Sequence, residues 1–272
     1  MKLSGQNSSG LFSARLKTIR CHVIITIKNN NRQEKIIMIK YVLFDLDGTL
    51  LPMDQDIFVK AYFGELTKKT SAAGYKPEAV IKAVWSGMKK MLGNNGSKTN
   101  EDVFWECFRH ELGDEIMEHR QLFDDFYKNE FNNVSSVCPV NPKAKETISM
   151  IKSSGLKTAV ATLPVFPAAA IEARINWAGI DTNDLEFYTS YETCRFTKPN
   201  IKYYENVLAK TGARAEECLM VGNNVDEDMI ASELGMKVFL LTDCLINDHD
   251  KDISVYNCGS FNELQEYIKS LM

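Results

Sequence analysis

The sequence predicts an α/β fold: a parallel sheet with helices on both faces, interrupted after its first strand by an α-helical insertion. From Met38 onward, short apolar or β-branched runs alternate with amphipathic stretches, several of which stop at a glycine. Roughly 110 residues separate the first two runs, where a single helix would be enough to connect parallel strands.

Residues 41–44, 157–161, 187–189, 218–221 and 237–241 read as strands, because they are short and lack the polar alternation of a half-exposed sheet. Helices are expected at 143–153, 168–177, 201–210 and 226–234. Gly155, Gly179, Gly212 and Gly235 follow them where a C-cap belongs. In the long gap, 57–73, 77–92, 100–112 and 115–131 have helical periodicity, with Pro77 at a helix start and Val103, Phe104, Cys107 and Phe108 on one apolar face. The expected organisation is a core of residues 38–53 and 136–272, with a helical cap at 54–135 hinged near Pro52 and Cys138-Pro139.

A chain of 272 residues with 44% hydrophobic content buries a full core. Its net charge of −4 and pI near 5.7 argue against broad binding to nucleic acid or anionic lipid, and so point to a small-molecule site. The seven cysteines are scattered without a C-x-x-C pair, which fits a reducing cytoplasm, and no apolar run reaches the ~18–20 residues that span a bilayer. Residues 1–37 differ from the rest. Up to Lys40 the basic residues are Lys2, Arg15, Lys17, Arg20, Lys28, Arg32, Lys35 and Lys40, against the single acid Glu34. That composition resembles an organellar transit peptide. The plainer expectation is a poorly packed extension upstream of a start at Met38, with residues 21–28 at most an edge strand.

The chemistry-bearing feature is Tyr41-Val42-Leu43-Phe44-Asp45-Leu46-Asp47-Gly48-Thr49-Leu50, an apolar strand ending in two carboxylates. In open α/β sheets, ligands gather at the carboxyl ends of strands. An acidic turn hinged on Gly48, or a calcium-type loop, is the competing reading of Asp-x-Asp-Gly taken alone. Three later segments bear on the choice. Thr158-Ala159-Val160-Ala161-Thr162 is a strand ending in a hydroxyl, Thr197-Lys198-Pro199 puts a lysine before a helix, and Gly222-Asn223-Asn224-Val225-Asp226-Glu227-Asp228 is a polar cluster after a strand.

The whole string at 41–50 resembles the first motif of the haloacid dehalogenase-like superfamily, and the later segments resemble the other three. The resemblance implies a Rossmann-like core. It implies that Asp45 attacks phosphorus and becomes phosphorylated, while Asp47 protonates the leaving oxygen and then activates water. It further implies that Thr162 and nearby backbone N–H groups hold the phosphoryl oxygens, helped by the positive end of the helix starting near Pro167, and that Lys198 neutralises the site. Leu163-Pro164 departs from the Thr-Asn pair common among relatives.

The fourth motif also departs. Relatives commonly carry Gly-Asp, that Asp binding magnesium, whereas Asn223 stands here, with Asp228 as the second acid. The implied Mg2+ ligands are Asp45, Asp47 through its carbonyl, Asn223 and Asp228, with Asp226 as a further candidate. An amide oxygen still suits a hard cation, and the cluster also reads as a helix-capping turn. Carbon–halogen cleaving relatives lack an acid two residues after the nucleophile, so Asp47 favours hydrolysis of a phosphate monoester of a small metabolite. The alternatives are a phosphosugar mutase of the same superfamily and a non-enzymatic binding protein weakened at Asn223. Within the cap, Lys89, Lys90, Trp85 and Tyr75 are candidates for reading the leaving group, against plainer roles as surface charges or core aromatics.

Overall fold

The computed structural model describes residues 38–272, so the expected extension at 1–37 and the edge strand at 21–28 lie outside the described residues. Five parallel strands form one sheet in the order β2-β1-β3-β4-β5: β1 (Tyr41–Phe44), β2 (Lys157–Val160), β3 (Cys218–Gly222), β4 (Lys237–Leu241) and β5 (Asn257–Gly259). Val42 and Phe44 pack into one apolar cluster, Tyr41 and Leu43 into another, as the two-residue period of a strand buried on both faces requires. Because β2 and β3 flank β1 on opposite sides, the connections diverge there, and a crevice opens at the carboxyl ends of β1 and β3.

Between β1 and β2 lie α1 (Gln55–Ala72), α2 (Pro77–Leu92), α3 (Asn100–Leu112), α4 (Arg120–Lys128) and α5 (Pro142–Ser153). The helix expected at 115–131 is instead a 3-10 turn at Asp114–Met117, then α4, then a 3-10 stretch at Glu130–Val137. Asn129 ends α4, its side-chain amide donating to the Asp125 carbonyl at 2.8 Å, a local bond that competes with helix continuation. Phe58, Tyr62, Phe108, Phe126 and Phe131 of the insertion share one apolar cluster with Val42 and Phe44. The first turn of α3 is tied to core loops. Asn100 N–H donates to the Cys194 carbonyl at 2.8 Å, its side chain to the Pro164 carbonyl at 3.1 Å, and Glu101 N–H to the Tyr191 carbonyl at 2.9 Å.

The remaining helices are α6 (Ala168–Trp177), α7 (Ile201–Thr211) and α8 (Phe261–Ser270). Gly212 closes α7 in the left-handed conformation, at φ 64°. Two expected elements are corrected. The strand at 187–189 reduces to a single parallel bridge between Tyr188 and Val160, and the helix at 226–234 becomes a turn followed by a 3-10 segment at Met229–Leu234. No helix among the described residues is long and apolar enough to cross a membrane.

Candidate active site

Asp45 follows β1 directly and Asn223 follows β3 directly, so strand register places both in the crevice; the Asp45 N–H donates to the Val221 carbonyl at 2.8 Å. Lys198, three residues before α7, reaches in with its side chain fully buried. Its Nζ lies 2.8 Å from Asp45 Oδ1 and 2.6 Å from Asp228 Oδ1. Burial alone would strip the proton from this ammonium, but Asp228 and then Asp45 outweigh it and hold Lys198 charged. Asp228 is itself fixed. Its Oδ2 accepts from the Asn224 N–H at 3.0 Å, and a Cβ at Gly222 would fall 2.0 Å from that oxygen, so only glycine permits the approach.

Thr49 Oγ1 joins the two strand ends, contacting Asn223 Oδ1 at 3.0 Å and Asp45 Oδ2 at 3.4 Å. The Asn223 amide nitrogen donates to the Cys244 carbonyl at 2.6 Å. The Thr162 carbonyl accepts from Thr189 Oγ1 at 2.9 Å and Tyr203 OH at 2.8 Å, which sets the end of β2 beside the same cavity. The expected help from the start of α6 is altered by Glu192, whose carboxylate takes the Ala168 N–H at 2.9 Å and 3.1 Å and so offsets the positive helix end.

Sequence reasoning missed Arg174. Its guanidinium, with no exposed side-chain surface, pairs with Asp47 Oδ2 and lies 4.4 Å over the Phe166 ring. The available signal was its place on the buried stripe of α6 with Ala170, Ile171 and Ile175, where a solvated arginine does not belong. Although 22% of the Asp47 side chain is exposed, Oδ1 is buried without a hydrogen-bond partner. Burial pushes this carboxyl above its usual range, against the opposing pull of Arg174. Glu227 was also missed. It lines the cavity, and burial pushes its carboxyl up to about 7, whereas Asp226 turns away to His249 and Lys251 at 2.8 Å and 2.5 Å.

The cavity holds about 480 Å³. Asp45, Asp47, Thr162, Asn223 and Glu227 line one end, and α1 to α4 supply the opposite wall. Of the inserted side chains expected to read the leaving group, Trp85 lines it; Lys89 and Lys90 are exposed and Tyr75 bonds His119 instead. Among the described residues no group of three or more His, Cys, Asp or Glu side chains is arranged as a metal cage. Asp45 Oδ2 and Asn223 Oδ1, sharing the Thr49 hydroxyl, nevertheless form an all-oxygen pair of the chemistry that suits Mg2+, an ion usually held by few protein ligands and several waters.

Comparison with known proteins bears on the family to which the chain belongs. The chain is 27% identical to a phosphoglycolate phosphatase of Vibrio parahaemolyticus, covering 85% of this chain and 96% of that one. It is equally 27% identical to a glyceraldehyde 3-phosphate phosphatase of Methanocaldococcus jannaschii, covering 86% and 99%. The crystal structure of a 2-haloacid dehalogenase from Pseudomonas syringae pv. Tomato superposes with a TM-score of 0.56 at 18% identity, covering 86% of this chain and all of that one. Residues 39–234 match the family model described as haloacid dehalogenase-like hydrolase, and the chain belongs to that family.

Proposed function

We propose that this hydrolase, a phosphatase, cleaves a phosphate monoester of a small metabolite through a phosphoaspartate at Asp45. The observation that carries the reading is Asp45 itself: a carboxylate at the end of the central strand, fixed by Lys198 at 2.8 Å and opening on the cavity with Thr162 and Asp47 beside it. The phosphatase names of the curated relatives point the same way.

In the first step an Asp45 oxygen attacks phosphorus as the ester P–O bond breaks, and protonated Asp47 gives its proton to the departing alkoxide. In the second step Asp47, now a carboxylate, takes a proton from water as that water attacks the same phosphorus, releasing inorganic phosphate and restoring Asp45. Lys198 balances the charge on Asp45 throughout, and the Thr162 hydroxyl holds a phosphoryl oxygen. Asp45, Asn223 and the Asp47 carbonyl would hold Mg2+, and the ion would supply positive charge that makes the anionic ester approachable by a carboxylate. Asp228, whose two oxygens meet Lys198 and the Asn224 N–H, orients the lysine. Residues 54–135 act as the cap that covers the site and excludes water. The described cysteines are all unpaired, consistent with a reducing cytoplasm.

The test is hydrolysis of 4-nitrophenyl phosphate with added MgCl2, followed by acid quench and peptide mass spectrometry. Phosphate on the Asp45 peptide is the expected result. Turnover with no trapped phosphate, undiminished in Asp45→Asn, would sink the reading.

A further inference from the structure

We infer that the group released from phosphate is an uncharged, apolar alcohol of ring size rather than a small carboxylic acid; this rests on the phosphatase reading above. The cavity's 480 Å³ lies within the roughly 300–1,000 Å³ that encloses drug-sized ligands, far more than a two- or three-carbon fragment fills. Its wall in the insertion is mostly apolar, with Leu66 from α1, Met88 from α2, Phe104 and Phe108 from α3, and Phe123 from α4, the charged exceptions being Asp56 and Asp124. The Phe108 ring centroid lies 5.0 Å from that of Phe104 and 5.2 Å from that of Phe123, the latter edge to face at 87°, so faces and edges are both presented to a further ring.

Charge decides the point more sharply than size. None of the residues lining the cavity is Lys, Arg or His. Its acids stand either at the strand ends, as Asp45, Asp47 and Glu227, or on exposed positions, as Asp56, Asp124 and Asp248. Lys198 is engaged by Asp45 and Asp228, and Arg174, although its Nη2 has no hydrogen-bond partner, pairs with Asp47 and stands outside the cavity lining. A carboxylate on the leaving group would therefore lose water among aromatic side chains with no cationic side chain on that wall to receive it. An uncharged ring meets neither penalty. Polar points are available to it: Trp105, which lines the cavity, has its Nε1 buried without a hydrogen-bond partner, and Tyr62, Tyr127 and Tyr191 line the cavity beside it, so an ether or hydroxyl oxygen has donors to meet.

The experiment is isothermal titration of Asp45→Asn, which holds the ester without turning it over, with benzyl phosphate and with 2-phosphoglycolate in MgCl2. Benzyl phosphate is expected to bind at least tenfold more tightly. Placing a cation on the wall at half-buried Met88, as Met88→Lys in the same background, should shrink that ratio at least threefold. Equal or tighter binding of 2-phosphoglycolate by Asp45→Asn, or a ratio untouched by Met88→Lys, overturns the inference. The parent enzyme, assayed for release of phosphate from both esters, separates the two readings. If it turns over neither while the binding preference stands, the phosphatase assignment fails and the ligand class is upheld.

Discussion

The Arg174 guanidinium is sealed beneath Asp47, pairing with its Oδ2 while Nε donates to the Ala170 carbonyl at 3.2 Å, so a residue of α6 fixes the direction of a carboxylate that follows β1. Arg174→Met should therefore leave Asp47 free to turn from the leaving oxygen. We expect kcat to fall at least tenfold more for an alkyl phosphate than for 4-nitrophenyl phosphate, whose phenolate departs without a proton. Stability should drop by about 3 kcal/mol, the low end for breaking a buried pair, because Asp47 still opens on the cavity. Equal losses on both esters would show that Arg174 serves packing alone.

Glu217 provides a pH-dependent clamp between the segments leading into β1 and β3. Its carboxylate accepts from the Arg214 N–H at 3.0 Å and guanidinium at 3.1 Å and meets Lys40 Nζ at 3.0 Å, while its carbonyl accepts from the Lys40 N–H at 2.8 Å. The Arg214 backbone bond, then the Arg214 and Lys40 side chains, hold this carboxyl down at about 2. A carboxyl lowered on folding contributes stability above the ordinary glutamate range, near 4.3, and loses it as pH falls toward the folded value. Glu217→Gln should thus melt lower than the parent at pH 7, with the gap narrowing from about pH 5 downward. A gap constant from pH 7 to pH 3 would refute the linkage.

The parts of this molecule that the sequence makes legible are those set by local pattern. Residues 77–92, 100–112, 168–177 and 237–241 fall on α2, α3, α6 and β4, where apolar period and end signals agree. The helix expected at 226–234 survives only as a turn and a 3-10 segment: Asn224 Oδ1 accepts from Asp226 N–H at 3.0 Å and Glu227 N–H at 3.1 Å as an N-cap does, but Asp228 beyond them is held by Lys198. β5 escapes notice because Asn257–Gly259 carries no apolar run, although Ser260 and Glu263 form a legible capping box for α8. In the site, Asp45, Asp47, Thr162, Lys198 and Asn223 belong to motifs and are brought together. Arg174 belongs to none, and Glu227 lies within the 222–228 segment without being singled out by it, so only tertiary packing reveals that they face the same chemistry.

Gly222 tests whether Asp228 must sit where it does. Gly222→Ala would place a methyl 2.0 Å from Asp228 Oδ2, against a fully buried side chain that has nowhere to retreat. Overpacking of this kind costs about 1–3 kcal/mol. The displaced carboxylate also loosens Lys198, so kcat/KM should fall at least tenfold. Urea unfolding with parallel kinetics checks both, and a variant with parental stability and turnover would remove Asp228 from the argument.

Asn223 is the position where the fold explains a departure from the family pattern. Its amide is used at both ends: Oδ1 accepts from Thr49 at 3.0 Å and Nδ2 donates to the Cys244 carbonyl at 2.6 Å. An aspartate keeps the first bond and loses the second, setting a carboxylate oxygen against a carbonyl, and an unsatisfied buried acceptor costs about 1–3 kcal/mol. The opposing effect is attraction to a cation. Two unit charges 4 Å apart at an effective dielectric of 20 interact by about 4 kcal/mol, about twice that for Mg2+, before desolvation cancels much of it. Asn223→Asp should therefore melt several degrees below the parent in EDTA, recover most of the difference in MgCl2, and reach half of its Mg2+-induced shift at a lower concentration. Calorimetric scans across a MgCl2 titration read this without any turnover. If both proteins gain the same stability with the same midpoint, Asn223 does not touch the ion, and its amide serves only to tie Thr49 to the Cys244 loop.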